Sequence, residues 1–156
     1  MKKQTRVVSC VVLLSLTLAD TARPESLSPT EASLVRAVNE VRTSYLVPPL
    51  KVDVRLLRAA RAHTRTMLRT DVFAHGSFGS RLGSSGAVGP LFGENLAWGV
   101  GTNAEARAIV QAWLESPGHR ANLLRPGFRR IGLGVRAGAF AGYPSATVVT
   151  ADFAGS

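Results

Sequence analysis

Ser116-Pro117-Gly118-His119-Arg120-Ala121-Asn122-Leu123-Leu124 stands where the chain turns from helix-forming to strand-forming sequence. Serine is a favoured helix cap and proline suits the first helical position, so a short helix carrying His119 and Asn122 is predicted to restart here and to end at Pro126-Gly127. Downstream, Ile131-Gly132-Leu133-Gly134-Val135-Arg136 and Ala146-Thr147-Val148-Val149-Thr150-Ala151-Asp152-Phe153 contain many β-branched residues. With Gly138, Gly142 and Pro144 between them, they read as two antiparallel strands joined by a loop. Upstream, Thr102-Asn103-Ala104-Glu105 has a capping pattern that predicts a third helix, with Ala106, Ile109, Val110 and Trp113 facing inward, to about Glu115.

Two helices precede these elements. Ser28-Pro29-Thr30-Glu31 joins a hydroxyl cap to an acid that can reach back to the cap backbone. Leu34, Val38, Val41 and Tyr45 follow at helical spacing, and Pro48-Pro49 stops the helix, which is predicted over Pro29 to Tyr45. Asp53 caps the second helix. Its inner stripe is Leu56, Leu57, Ala60, Thr64, Met67 and Leu68, and Arg55, Arg58, Arg61, Arg65 and Arg69 form the outer one. His63 falls at the edge of the apolar stripe and reads as a packing residue. From Phe73 to Trp98 the sequence is rich in Gly, Ser and Phe and predicts loop or short strand, the kind of segment on which a rigid scaffold places binding groups. Helices first and paired strands last define an α+β domain whose sheet is covered by helices.

Met1 to Arg6 is basic and Val7 to Ala19 is an apolar run too short for a stable membrane span, so residues 1–22 read as a secretory signal peptide. Small residues at Thr17-Leu18-Ala19 and at Ala22 place the cleavage near 19–22. Residues 23–28 are a linker and residues 29–156 form one domain, enough chain for a single core. Removal of the leader deletes Cys10, the only cysteine, so the exported domain is stabilised without disulfides. The expected location is secreted or periplasmic.

The full chain has 19 basic and 10 acidic residues; loss of Lys2, Lys3, Arg6 and Asp20 leaves 16 and 9, a formal +7 carried almost entirely by arginine. Such a charge attracts anionic partners in general, and peripheral contact with an anionic surface is consistent with it. No aromatic stacking platform is interleaved with the arginines, and an exported protein rarely meets nucleic acid, so nucleic acid is excluded as the partner.

His75, Glu94 and His119 are the residues that concentrate proton-transfer and cation-binding chemistry. Two imidazoles and a carboxylate are the ligand composition of many zinc sites that leave a position open, although no pair has the spacing that puts two ligands on one helical face. Their convergence must come from the fold; without it they are unrelated loop residues. Nucleophilic catalysis has less support. The mature chain lacks cysteine, no Gly-x-Ser-x-Gly elbow is present, Ser77 and Ser116 adjoin histidines only in sequence, and Ser116 reads as a helix cap. A two-acid glycosidase would have to use Glu94 with Glu115 at a helix end.

The order His75-Gly76-Ser77, Arg81, Gly93-Glu94-Asn95-Leu96-Ala97, Trp113, Ser116 to Leu124, Ile131-Gly132-Leu133-Gly134 and Asp152-Phe153 resembles the CAP superfamily. This is the SCP-like extracellular domain of cysteine-rich secretory proteins, antigen 5 and plant pathogenesis-related proteins, and the similarity is to its disulfide-free bacterial branch. The resemblance spans about Leu34 to Phe153. It implies a three-layer α-β-α sandwich with a central antiparallel sheet and a cleft lined by two histidines and two acids. His75, Glu94 and His119 match three of those positions; the fourth acid is replaced by Ser116, with Glu115 one position away. Relatives bind zinc or another divalent ion through the cleft histidines, or sterols and fatty acids between helices, and no catalytic activity is shared across the family. The expectation is therefore a binding module. Its candidate metal ligands are His75 and His119, with Glu94 a further ligand or an outer-shell group, and its candidate partners are a lipid or a cell-envelope component. A metal-dependent hydrolase acting on peptide or cell-wall bonds and an extracellular interaction scaffold are the alternatives.

Overall fold

The computed structural model describes residues 25–155, so the leader and its cleavage point lie outside the described residues. The first helix, α1, runs Pro29–Ser44. At its start the Ser28 hydroxyl accepts from the Glu31 N–H at 3.2 Å, and the Ser28 N–H donates to Glu31 Oε2 at 2.7 Å. Glu31 also receives two bonds from Arg61, at 2.8 and 2.6 Å, so one capping acid ties the first helix to the second. Asn39 then clamps the chain after the helix by bonding both the N–H and the carbonyl of Leu50.

A two-residue strand, β1 (Lys51–Val52), leads to Asp53, whose side chain caps α2 (Val54–Thr70). The remaining elements are α3 (Phe78–Ser85), β2 (Phe92–Gly99), a 3-10 turn (Gly101–Ala104), α4 (Ala106–Glu115), α5 (Pro117–Leu123), β3 (Phe128–Phe140) and β4 (Tyr143–Gly155). The four strands lie in the order β1-β3-β4-β2. All neighbours are antiparallel except β1, which pairs parallel with β3. Helices α2 and α3 cover one face and α1, α4 and α5 the other, which makes the three-layer sandwich.

The larger core lies beneath α1, α4 and α5. Leu34, Val38, Trp113 and Leu123 there meet Phe128, Ile131, Leu133, Val149 and Phe153 of the long hairpin. On the other face Leu56, Ala59 and Leu82 pack with Ala154, and Met67 packs with Leu96, Phe140 and Val148. Gly132 and Gly134 let α2 lie directly on the sheet: a Cβ at Gly132 would stand 2.1 Å from the Leu56 carbonyl carbon, and one at Gly134 would stand 2.4 Å from the Ala60 oxygen.

Three sequence expectations need correction. The segment expected as loop or short strand holds a helix, α3, and an eight-residue strand, β2. The low helix propensity of its Ser and Gly residues is overridden by burial of Leu82 against α2. The capping pattern at Thr102 opens the 3-10 turn, and α4 starts only at Ala106, after Glu105. Gly99 lies against the Asn103 carbonyl, which turns the chain back over the end of β2 before the helix can begin. The hairpin strands are longer than predicted because Ala141-Gly142 alone makes the turn. Both residues have positive φ, 51° and 83°, the geometry that matches the twist of a two-residue hairpin.

Candidate cleft

His75 leaves the loop after α2, Glu94 sits on β2, and His119 lies in the first turn of α5. The structure brings the three together around one open hollow of about 380 Å³, lined also by Phe78, Ser116, Gly118 and Asn122. Strand β2 is at the edge of the sheet, so groups from both helical layers can reach past it. From one side comes the His75 loop. From the other comes α5, fixed to the strand by Asn122 Nδ2 donating to the Glu94 carbonyl at 3.1 Å and by Asn95 Nδ2 donating to the His119 carbonyl at 2.9 Å.

Glu94 is the buried centre of this arrangement. One oxygen accepts from His75 Nδ1 at 2.6 Å, and the other is paired with Arg81 Nη2. A carboxylate only accepts, so Nδ1 carries the hydrogen and the His75 Nε2 lone pair is left for the cleft. Arg81 also donates to the His75 carbonyl at 3.2 Å, holding the loop backbone as well as the acid beneath it. Both Glu94 oxygens are therefore engaged, and among the described residues no three His, Cys, Asp or Glu side chains form a metal-holding group. Glu94 holds His75 through Nδ1 and Arg81 through its other oxygen.

Behind Glu94 lies an acid to which the sequence reading gave no role. The antiparallel register sets Glu94 opposite Asp152, which is fully buried and 3.7 Å from Arg81. Neither Asp152 oxygen has a hydrogen-bond partner. Burial, reinforced by the nearby Glu94 charge, pushes the Asp152 carboxyl well above its ordinary range. Burial also raises Glu94, to about 7, while Arg81 pulls it down. With one guanidinium between two acids, the proton resides on Asp152 and Glu94 keeps the charge that engages Arg81 and His75. Arg81 and Asp152 stand in the motifs quoted above, but their roles depend on strand register and on a helix that composition conceals.

His119 is pushed below the usual histidine range by burial and by the proximity of His75, so it is neutral at pH 7. Ser116 occupies the cap position of α5 without bonding through its side chain, and its residue lines the cleft instead. The hydroxyl-capping expectation for Ser116 is thus corrected. Glu115 turns away and accepts from Gln111 at 2.8 Å on the exposed face of α4.

His63 supports the cleft from below. Its Nε2 donates to the Ala74 carbonyl at 2.8 Å, next to His75, while the ring is 6% exposed. Desolvation, with the nearby Arg81 charge, lowers it to about 4. Below pH ~6.5 the unfolded chain binds a proton that the folded chain refuses, so this part of stability is present above pH ~6.5 and is lost as pH falls through 4. Urea titrations of the wild type and His63→Gln between pH 7 and 4 should show the wild type losing up to about 3 kcal/mol more than the variant. Parallel losses in the two proteins would contradict this role.

A sandwich of this topology is the fold of the SCP-like class of domain. Residues 35–153 match the family model described as the cysteine-rich secretory protein family, and the chain belongs to that family. It is 36% identical over 119 residues to the uncharacterized Bacillus subtilis protein YkwD, covering 73% of this chain and 45% of that one. A second Bacillus subtilis relative, the uncharacterized membrane protein YlbC, is 28% identical over 67% of this chain and 31% of its own. The chain thus spans less than half the length of these curated relatives. Among solved structures, an extracellular SCP-domain protein from Bacillus anthracis superposes with a TM-score of 0.68 at 27% identity, covering 85% of this chain and 45% of that one. An outer surface protein of Borrelia burgdorferi gives 0.62 at 23% identity, covering 79% and 90%, and supports the fold alone. No helix among the described residues is long and apolar enough to cross a membrane.

Proposed function

We propose that this is an exported binding domain whose cleft holds a divalent cation through His75 and His119. The observation that carries the reading is that Glu94 occupies His75 Nδ1 and leaves Nε2 available, across the same hollow from the neutral His119. Carboxylate-oriented imidazole is the usual state of a metal-binding histidine. Two imidazoles complete only half of a tetrahedral set, so binding is weak and the other positions are filled by water or by the ligand itself. The cleft offers little for hydrolysis, since Glu94 is its only acid and both of its oxygens are committed. Export is supported by the leader-like sequence of residues 1–22 and by the extracellular Bacillus anthracis SCP-domain protein at 27% identity.

Isothermal titration with zinc at pH 7.5 should give one binding event in the wild type and none in His75→Ala/His119→Ala. Binding should weaken on acidification as each ligating ring takes up a proton. Equal heats from the two proteins would overturn the reading. A second reading, capture of a ligand with an apolar part, draws support from a groove of about 240 Å³ between α1 and α4, lined by Ala37, Val41, Val110 and Leu114 together with Glu40, Arg107 and Gln111. Native mass spectrometry of the purified domain decides it: co-purified lipid supports it and a ligand-free mass speaks against it.

A further inference from the structure

We propose that the groove between α2 and α3, whose lining includes the His63 and Arg81 that support the cleft, binds a carboxylated polysaccharide. The groove has a volume of about 490 Å³, and Ala59 and Ala62 are among the residues that line it. Their small side chains give it depth where α2 meets α3. Arg58 and Arg65 also line it, seven residues apart on α2 and therefore about 10 Å apart along the helix. Ser84 and Ser85 of α3 and Thr66 of α2 contribute hydroxyls, and no carboxylate lines the groove.

The charge pattern is what points to an anion. Helix α2 contains five arginines and α3 one, and neither contains an acid. Arginines at three- and four-residue spacing repel one another along a helix, and alternation with glutamate would relieve this. Three of the six are compensated elsewhere: Arg55 by Asp53, Arg61 by Glu31, and Arg81 by Glu94. Arg58 meets only Glu25, an exposed contact at 3.2 Å that a ligand can displace. Among the described residues no carboxylate comes within ion-pair distance of Arg65 or Arg69. The uncompensated charge is thus gathered along the groove and its end. A sugar chain suits this surface: its carboxylates match the planar arginine fork, its hydroxyls can donate to the hydroxyl oxygens of Ser84, Ser85 and Thr66, and a ring face can cover Ala62.

The test uses the exported domain and an oligogalacturonate as probe, read by calorimetry at about 50 mM salt, with neutral dextran and a short DNA duplex of equal charge as comparisons. The wild type should bind the oligogalacturonate, bind the duplex at least about tenfold more weakly and ignore dextran. Arg58→Ala/Arg65→Ala should lose about tenfold or more in affinity with its melting temperature unchanged. Arg36→Ala/Arg107→Ala removes the same charge from the opposite layer and should bind like the wild type apart from a small salt-dependent loss. Absence of binding, equal loss in both double variants, or duplex binding as tight as the oligogalacturonate would overturn the proposal. Zinc titration of Arg58→Ala/Arg65→Ala should match the wild type, so the groove and the cleft succeed or fail separately.

Discussion

Replacing Arg42 with methionine should lower the unfolding free energy by about 4 kcal/mol, because a fully buried cation and the carbonyls it serves would lose each other together. Arg42 projects from α1 into the junction of α5 and β3. Its Nε donates to the Pro48 carbonyl at 2.9 Å, and its two terminal nitrogens donate to Leu123 at 2.7 Å, to Phe128 at 3.2 Å and to Arg125. These acceptors include carbonyls at and just beyond the C-terminal end of α5, which have no intrahelical partner and carry partial negative charge. No carboxylate is present in the set, so the arginine acts as a multi-donor plug for backbone oxygens. Methionine fills the volume but leaves the Pro48 and Leu123 carbonyls without this donor, and leaves Arg125 and Phe128 only their bonds from the Phe128 N–H and from Arg129. The loss should extend to the cleft, since α5 carries His119. Denaturant titration at pH 7 checks the value, and a change below about 1 kcal/mol would contradict this account of the junction.

Gly132→Ala should cost about 3 kcal/mol, at the upper end of overpacking, because the obstruction is backbone. The added methyl would meet the Leu56 carbonyl carbon at 2.1 Å and the Leu57 nitrogen at 2.2 Å, so α2 as a whole would have to lift from the sheet. That helix carries Leu56, Leu57 and Met67, all buried, and His63 beneath the cleft loop. Gly138→Ala supplies the contrast on the same strand. There the nearest atom is the flexible end of Leu68 at 3.2 Å, and the change should be far smaller. Similar losses for the two substitutions would mean that α2 does not lie against the sheet as described.

These two residues show what the sequence made legible and what it concealed. The amphipathic pattern of α2 and the caps at Ser28 and Asp53 were readable because helix ends and helical faces are encoded within a few residues. Helix α3 was not, since Phe78-Gly79-Ser80-Arg81-Leu82-Gly83-Ser84-Ser85 has little propensity for helix and gains its order from contact with α2. The same division holds in the cleft. His75, Glu94 and His119 stood out by residue type and motif. Asp152 looked like an ordinary strand residue until the register with β2 set it behind Glu94, and Arg81 gained meaning only when α3 carried it between the two acids. Ser116 misled in the other direction, because a favoured capping residue in the cap position need not bond through its hydroxyl.

The convergence of His75 and His119 on one cation is tested most directly by long-range proton–nitrogen spectra of the imidazole rings during zinc titration of the wild-type domain. A nitrogen of each ring, Nε2 in the case of His75, should shift together and saturate at one zinc per chain, while His63, held by the Ala74 carbonyl, stays in place. Movement of only one of the two rings, or of His63 in their stead, would contradict the account.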